Sequence, residues 1–278
     1  MRKVPMLAVM AILTAVCILG AIPGHGGPWA QERVSITGST TVLPIAQKAA
    51  EEFMKKRPEV RISVAGSGSG DGIKAIIDGT ADIGNSSRDM KEKELEAAKA
   101  KGATVVRHVV AYDCIVPVVN PANKVSDLTL EQLKDIYTGK IKRWKEVGGE
   151  DKPIVVISRD SSSGTFEVWN HKVLKDERVR PDAQLQASNG AVAQAVAGNK
   201  YAIGYVGIGY LNPKLKPLRV GGKEANASTA RDGSYPISRE LYMFTRGEPQ
   251  GPVKAYLDFV KGPAGQQIAQ QEGFVPLR

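Results

Sequence analysis

The sequence predicts an α/β protein, and two observations carry that prediction. Apolar stretches of strand length alternate with stretches of helical periodicity throughout the chain beyond residue 30. Near positions 38, 66 and 161, a strand also runs into a turn of Gly, Ser and Thr that opens a helix. The third copy is the most telling. Ile154-Val155-Val156-Ile157 reads as a buried strand, Ser161-Ser162-Ser163-Gly164-Thr165 as the turn, and Phe166, Trp169, Val173 and Leu174 as one face of the helix. The first turn of a helix has unpaired backbone N–H groups and the positive end of the helix dipole. Gly164 lets a ligand approach the backbone, the hydroxyls add donors, and Arg159 adds a charged fork suited to oxyanions. Such an array fits a small anion, although the same residues also read as an ordinary helix cap with spare serines.

The other two copies precede it. Val34-Ser35-Ile36 is a short strand leading into Gly38-Ser39-Thr40-Thr41, and a helix begins near Pro44 with Ala46, Ala49, Ala50, Phe53 and Met54 on one face. Arg61–Ala65 alternates as a second strand, followed by Gly66-Ser67-Gly68-Ser69-Gly70-Asp71-Gly72 and a helix carrying Ile73, Ile76 and Ile77. This glycine loop is neither a dinucleotide fingerprint nor a Walker loop, because the sixth-position Gly and the Lys-Ser/Thr pair are both missing. Ala81-Asp82-Ile83-Gly84 then leads to Asn85-Ser86-Ser87-Arg88, and a charged helix covers about 91–100. Residues 105–119 are largely apolar and long for one strand, so they read as two strands or as one that passes between two lobes. Leu128, Leu130, Leu133, Ile136 and Tyr137 form a helical stripe, with Thr129 and Gln132 as a capping box and Gly139 as its stop. Ser188-Asn189-Gly190 opens a further helix through Ala197. Strands follow at 202–206 and 241–244, and two helices close the chain, one with Val253, Tyr256, Leu257 and Val260 and one around Ile268.

Composition places the protein outside the cytoplasm. Arg2 and Lys3, an apolar run to about Ile22 and a Pro/Gly-rich exit make residues 1–30 a secretory leader, with Pro28-Trp29-Ala30 an imperfect cleavage site. No second stretch approaches the ~20 apolar residues of a membrane helix. Cys17 lies within the apolar run, behind Val16, which does not suit lipid attachment. Without the leader only Cys114 remains, so no internal disulfide forms, and its apolar surroundings predict a buried, inert thiol. The formal charge of +9 falls to +7 without Arg2 and Lys3. The basic runs at Lys55-Lys56-Arg57 and Lys140–Lys145 carry at most the single aromatic Trp144 and do not alternate with aromatics as a nucleic-acid platform does, so they read as solvated faces and no nucleic-acid partner is expected.

Catalysis finds little support. A serine among Ser161–Ser163 needs a base, the G-x-S-x-G elbow is absent around them, and His171 has no evident carboxylate to orient it. His108 reads as structural, and the three histidines with one remaining cysteine show no metal-ligand spacing. No cofactor and no metal are expected. A secreted serine hydrolase is the weakest of the competing readings.

Taken together, these motifs are similar to those of periplasmic phosphate-binding proteins, the solute receptors of phosphate ABC transporters. The carriers are Gly38-Ser39-Thr40-Thr41, the Gly-Ser-Gly-Ser-Gly loop, Ala81-Asp82-Ile83-Gly84, Leu130–Trp144, Arg159 with Ser163-Gly164-Thr165, and Ala202-Ile203-Gly204-Tyr205-Val206. Each is weak alone, and their order and spacing are specific. The resemblance implies a two-lobed, type II-like periplasmic-binding-protein fold with the ligand in the cleft between the lobes. Lobe I is expected from residues 31–112 and 239–278, and lobe II from 113–238. It further implies a monomer that binds inorganic phosphate through Ser39, Thr40, Thr41, Ser69, Gly70, Ser87, Arg159, Ser163, Gly164 and Thr165 and delivers it to a membrane permease. Many relatives carry Asp where this chain has Ser87, and that carboxylate accepts the phosphate proton and repels sulfate. Sulfate, molybdate and tungstate therefore stay open as ligands. Asp71 and Asp160 are candidate substitute acceptors, and Arg88 either adds a second cation or faces solvent.

Overall fold

The first strand is longer than its apolar centre suggests, because pairing on both sides recruits its polar ends. β1 (Glu32–Gly38) pairs in parallel with β2 (Val60–Gly66) along its whole length and with β3 (Ile83–Ser86) at its C-terminal end. The computed structural model describes residues 32–278, and the leader expected over 1–30 lies outside them. Helix α1 (Leu43–Lys56) connects β1 to β2, with Pro44 in its first turn and Ile45, Ala46, Ala49, Ala50 and Phe53 buried on one face. Helix α2 (Ser69–Asp78) connects β2 to β3, and α3 (Glu92–Ala100) follows. Gly38, at φ 131°, has a backbone conformation that L side chains rarely adopt. Its carbonyl accepts from the Ser67 and Gly68 N–H groups at 2.9 and 2.8 Å, and Ser39 N donates to Asn85 O at 2.8 Å. One glycine thus draws the first two hydroxyl-rich turns and the end of β3 together.

The apolar run at 105–119 is a single strand, β4 (Val105–Val119), about 50 Å long at ~3.3 Å per residue. Beyond it come β5 (Asp127–Leu128) and α4 (Leu130–Thr138), the latter capped reciprocally by Thr129 and Gln132 as expected. β6 (Val155–Arg159) starts one residue later than the apolar run and ends two residues beyond it, which places Arg159 at the strand end. Helix α5 (Gly164–Trp169) continues as a π-helical turn over Asn170–Leu174. β7 (Gln184–Gln186), α6 (Asn189–Ala197) and β8 (Ala202–Gly207) follow. The short elements β9 (Lys216–Pro217), β10 (Arg219–Val220) and α7 (Ala227–Arg231) were not legible in the pattern, nor were β5 and β7. They are too short for periodicity, and the strands among them form by pairing with distant partners. β11 (Ser238–Arg246), α8 (Gly251–Lys261) and α9 (Pro263–Gln271) complete the chain.

The sheet order is β2-β1-β3-β11-β4-β8-β6-β7, with β9 beside β4. β4 is antiparallel to β11 over residues 105–114 and to β8 over 115–119. It therefore runs out of one packed region and into another. The first core gathers residues between Val34 and Ala111 with residues between Leu241 and Phe274, including Phe53, Tyr256 and Leu257. The second gathers residues between Cys114 and Ile237 around Tyr137, Trp169 and Tyr205, with Trp169 stacked on Tyr205 at 4.2 Å between ring centroids. Each large buried side chain contributes about 1.5–3 kcal/mol. The two cores meet where β4 and β11 lie side by side, at the pairs Cys114/Ser238 and Asp113/Arg239.

Cys114 is fully buried at that junction, and burial, reinforced by the neighbouring Asp113 charge, pushes its thiol up to about 12. Only the thiolate reacts with disulfide reagents. In a chain beginning at Gln31, native protein at pH 8 is expected to leave an aromatic disulfide reagent unconsumed, with one equivalent reacting after denaturation. Rapid labelling of the native protein contradicts this burial.

Candidate functional site

Four helix starts meet at the junction. The turn before α1 brings Ser39, Thr40 and Thr41, α2 brings Ser69 and Gly70, α5 brings Ser163, Gly164 and Thr165, and α6 brings Asn189. All but Gly70 are buried, as are Ser87 and Arg159. The hydroxyls of Thr41 and Thr165, 124 positions apart, lie 3.0 Å from each other. Asn189 Nδ2 donates to Thr40 Oγ1 at 3.0 Å and Thr41 Oγ1 at 3.1 Å, while its Oδ1 accepts from Gly207 N–H at 3.1 Å. Ser87 N–H donates to Ser69 Oγ at 3.0 Å. The loop ahead of α5 closes against the loop ahead of α2: Gly70 N–H donates to Ser162 O at 3.0 Å, and Ser162 Oγ lies 3.2 Å from Ser67 O. A Cβ on Gly164 would collide with Ser69 Oγ and stand 2.7 Å from Ser69 Cβ and 2.9 Å from Ser87 Oγ, so the glycine is what lets the two helix starts touch.

Arg159 is anchored from behind. Its Nε donates to Gln186 O at 2.9 Å and its Nη2 to Ala187 O at 3.0 Å, whereas Nη1 is buried with no hydrogen-bond partner among the described residues. Burial lowers its pKa from the usual arginine range, and the nearby Asp160 charge opposes that shift. The group nevertheless stays a cation. A buried guanidinium N–H without an acceptor costs ~1–3 kcal/mol or more.

Two readings of the turn residues are corrected. Arg88 neither adds a cation to the site nor faces solvent: it is buried, forks onto Glu94 at 2.7 and 2.8 Å, and meets Glu167 at 2.9 Å through Nε. Asp71 is exposed, and Asp160 Oδ1 accepts from Ser162 N–H at 2.9 Å and Ser162 Oγ at 2.6 Å, which leaves Oδ2 as the oxygen not turned to Ser162. Ser163 Oγ caps α5 by accepting from Phe166 N–H at 3.2 Å. His171 is exposed and faces Asp176 at 3.6 Å, and His108 pairs with Thr245 Oγ1 at 3.0 Å. No imidazole is among the hydrogen-bond partners of Ser161, Ser162 or Ser163 in the described residues.

The structure also contributes polar groups that pattern reading missed. Asp113 on β4 is fully buried, with Oδ1 accepting from Ile208 N–H at 2.8 Å and Oδ2 facing Arg239 Nε at 2.8 Å and Nη2 at 2.6 Å. Burial pushes its carboxyl above the usual carboxylate range despite the opposing Arg239 charge. Arg239 donates on to Ser87 O at 3.2 Å, Thr41 Oγ1 at 3.3 Å and Thr165 Oγ1 at 3.1 Å. The signal for Asp113 was an acid inside an apolar strand, and Asn189 read only as a helix opener. Arg239 gave no signal, because the strand that carries it was expected to start two residues later.

A family model described as a PBP superfamily domain matches residues 25–263. The chain is 33% identical over 286 residues to the phosphate-binding protein PstS of Bacillus subtilis, covering 98% of this chain and 94% of that protein. It is 32% identical over 257 residues to the PstS of Borreliella burgdorferi, covering 88% and 90%. Among solved structures, it resembles one from Clostridium perfringens, described as a phosphate ABC transporter substrate-binding protein with bound phosphate. The TM-score is 0.83 at 37% identity, over 89% of this chain and all of that one. An ABC-type phosphate transport receptor from Vibrio cholerae gives 0.72 at 30% identity, over 87% and 99%. With identity above 30% along nearly its whole length to proteins of this kind, the chain belongs to the PBP superfamily and, within it, to the family of phosphate-binding proteins named PstS.

Proposed function

We propose that this chain is an extracytoplasmic, non-catalytic receptor that captures inorganic phosphate and hands it to the membrane permease of an ABC transporter. The observation that carries the reading is the convergence of four helix starts and their hydroxyls on one buried place, with a buried Arg159 Nη1, unpaired among the described residues, four positions ahead of Ser163. The binding set is Ser39, Thr40, Thr41, Ser69, Gly70, Ser87, Arg159, Ser163, Gly164 and Thr165. Helix N-termini and hydroxyls replace the hydration shell of the anion, and the guanidinium offsets part of its charge. Lobe I (31–112 and 239–278) and lobe II (113–238) close over the anion about the paired strands β4 and β11, which removes it from water. Among the described residues no helix is long and apolar enough to cross a membrane, which is compatible with a receptor that meets its permease at the surface.

A second reading, capture of another tetrahedral oxyanion such as sulfate, molybdate or tungstate, draws on one observation. Ser87 stands where a carboxylate would reject an unprotonated anion, and both oxygens of Asp113 are already engaged. Calorimetric titration of residues 31–278 with phosphate, repeated in excess sulfate, molybdate or tungstate, separates the two. One phosphate per chain, undiminished by the competitors, is expected. Displacement of phosphate by equimolar sulfate favours the second reading, and absence of any phosphate heat overturns the first.

A further inference from the structure

Arg239 and Asp113 form a buried ion pair at the seam of the two cores, in register on β11 and β4. Such a pair costs desolvation that a packed apolar pair avoids, so its presence is weak evidence of a stabilising role and points to another one. The hydrogen bonds around it supply one. Thr41 Oγ1 has two lone pairs, and donor-only groups point at both: Arg239 Nη2 at 3.3 Å and Asn189 Nδ2 at 3.1 Å. Its third neighbour, Thr165 Oγ1 at 3.0 Å, can only receive the Thr41 proton. Thr165 Oγ1 then accepts from both Thr41 and Arg239 Nη2, the latter at 3.1 Å, and its lone pairs are full as well. The Thr165 O–H is left with a hydrogen to donate and no capacity to accept.

On the phosphate-capture reading, we propose that Arg239, held by Asp113, is a positioning residue of the anion site that forces the hydroxyls of Thr41 and Thr165 to act as donors. The polarity runs from the guanidinium through Thr41 to Thr165 and ends in an O–H aimed at an acceptor-rich ligand. Because Thr41 and Thr165 belong to opposite sides of the seam, the same guanidinium ties their approach to the presence of that ligand. Arg239 contributes no net charge, since Asp113 neutralises it; its contribution is direction.

Phosphate affinity of residues 31–278, measured by calorimetry for Arg239→Met, Thr165→Val and the double variant, tests this. Each single change is expected to weaken binding at least tenfold. The double variant is expected to bind within about threefold of the weaker single variant, because the arginine acts through the hydroxyl. Penalties that multiply, or an Arg239→Met affinity within twofold of the unaltered chain, overturn the proposal. Should Arg239→Met fold poorly around an unpaired Asp113, Asp113→Asn/Arg239→Met removes both charges and keeps an oxygen for Ile208 N–H. That pair is expected to fold and still lose at least tenfold in affinity, and unaltered affinity there also overturns the proposal. Failure of the unaltered chain to bind phosphate instead sinks the capture reading itself.

Discussion

Replacing Arg159 with Ala is expected to weaken phosphate binding by about 2–4 kcal/mol, roughly 30- to 700-fold. The guanidinium is preorganised: two of its N–H groups are tied to Gln186 O and Ala187 O, and the buried Nη1 has no acceptor among the described residues. Little side-chain entropy remains to be lost on binding, so on the capture reading a charged hydrogen bond from Nη1 to the anion would be realised nearly in full. Arg159→Lys keeps the charge and loses the fork, so an intermediate affinity is expected. Calorimetric Kd values for both variants check this, with thermal unfolding of the ligand-free proteins showing that each is folded. An alanine variant that binds within twofold of the unaltered chain would place the anion away from this guanidinium.

Gly164→Ala is expected to separate affinity from stability. The new methyl meets Ser69 and Ser87, so the starts of α5 and α2 can no longer touch. Overpacking of this kind costs about 1–3 kcal/mol, roughly 5- to 150-fold in phosphate affinity when it falls on the closed form. With the two helix starts held apart the clash disappears, and Ala suits a helix at least as well as Gly. The Tm of the ligand-free protein should therefore stay level or rise while the Kd rises. Small-angle scattering with saturating phosphate checks the geometry: the unaltered chain contracts and the variant contracts less. Equal affinity in the two proteins would mean that this contact does not belong to the bound form.

Both variants concern residues that are legible in the sequence. Ser39-Thr40-Thr41, Ser69-Gly70 and Ser163-Gly164-Thr165 were legible because strand, small-polar turn and helix start are neighbours in sequence, and caps act within a turn. The direction of a turn side chain was not legible. Arg88 follows Ser87 directly, yet it points to Glu94 and Glu167 because two carboxylates outcompete any other destination for a buried guanidinium. Asp160 follows Arg159, yet its Oδ1 turns to Ser162.

By itself the sequence determined the alternation of strands and helices, the four helix starts, the burial of Cys114 and the hydroxyl-rich character of the turns, since each depends on residues within a few positions of one another. Only the tertiary structure decided that Arg239 meets Asp113, Thr41 and Thr165, which lie 126, 198 and 74 positions away. The pairing of β4 with β11 brings them together, and the desolvation of the seam then presses polar groups there toward one another. That pressure is imposed by burial, which no local pattern of residues encodes.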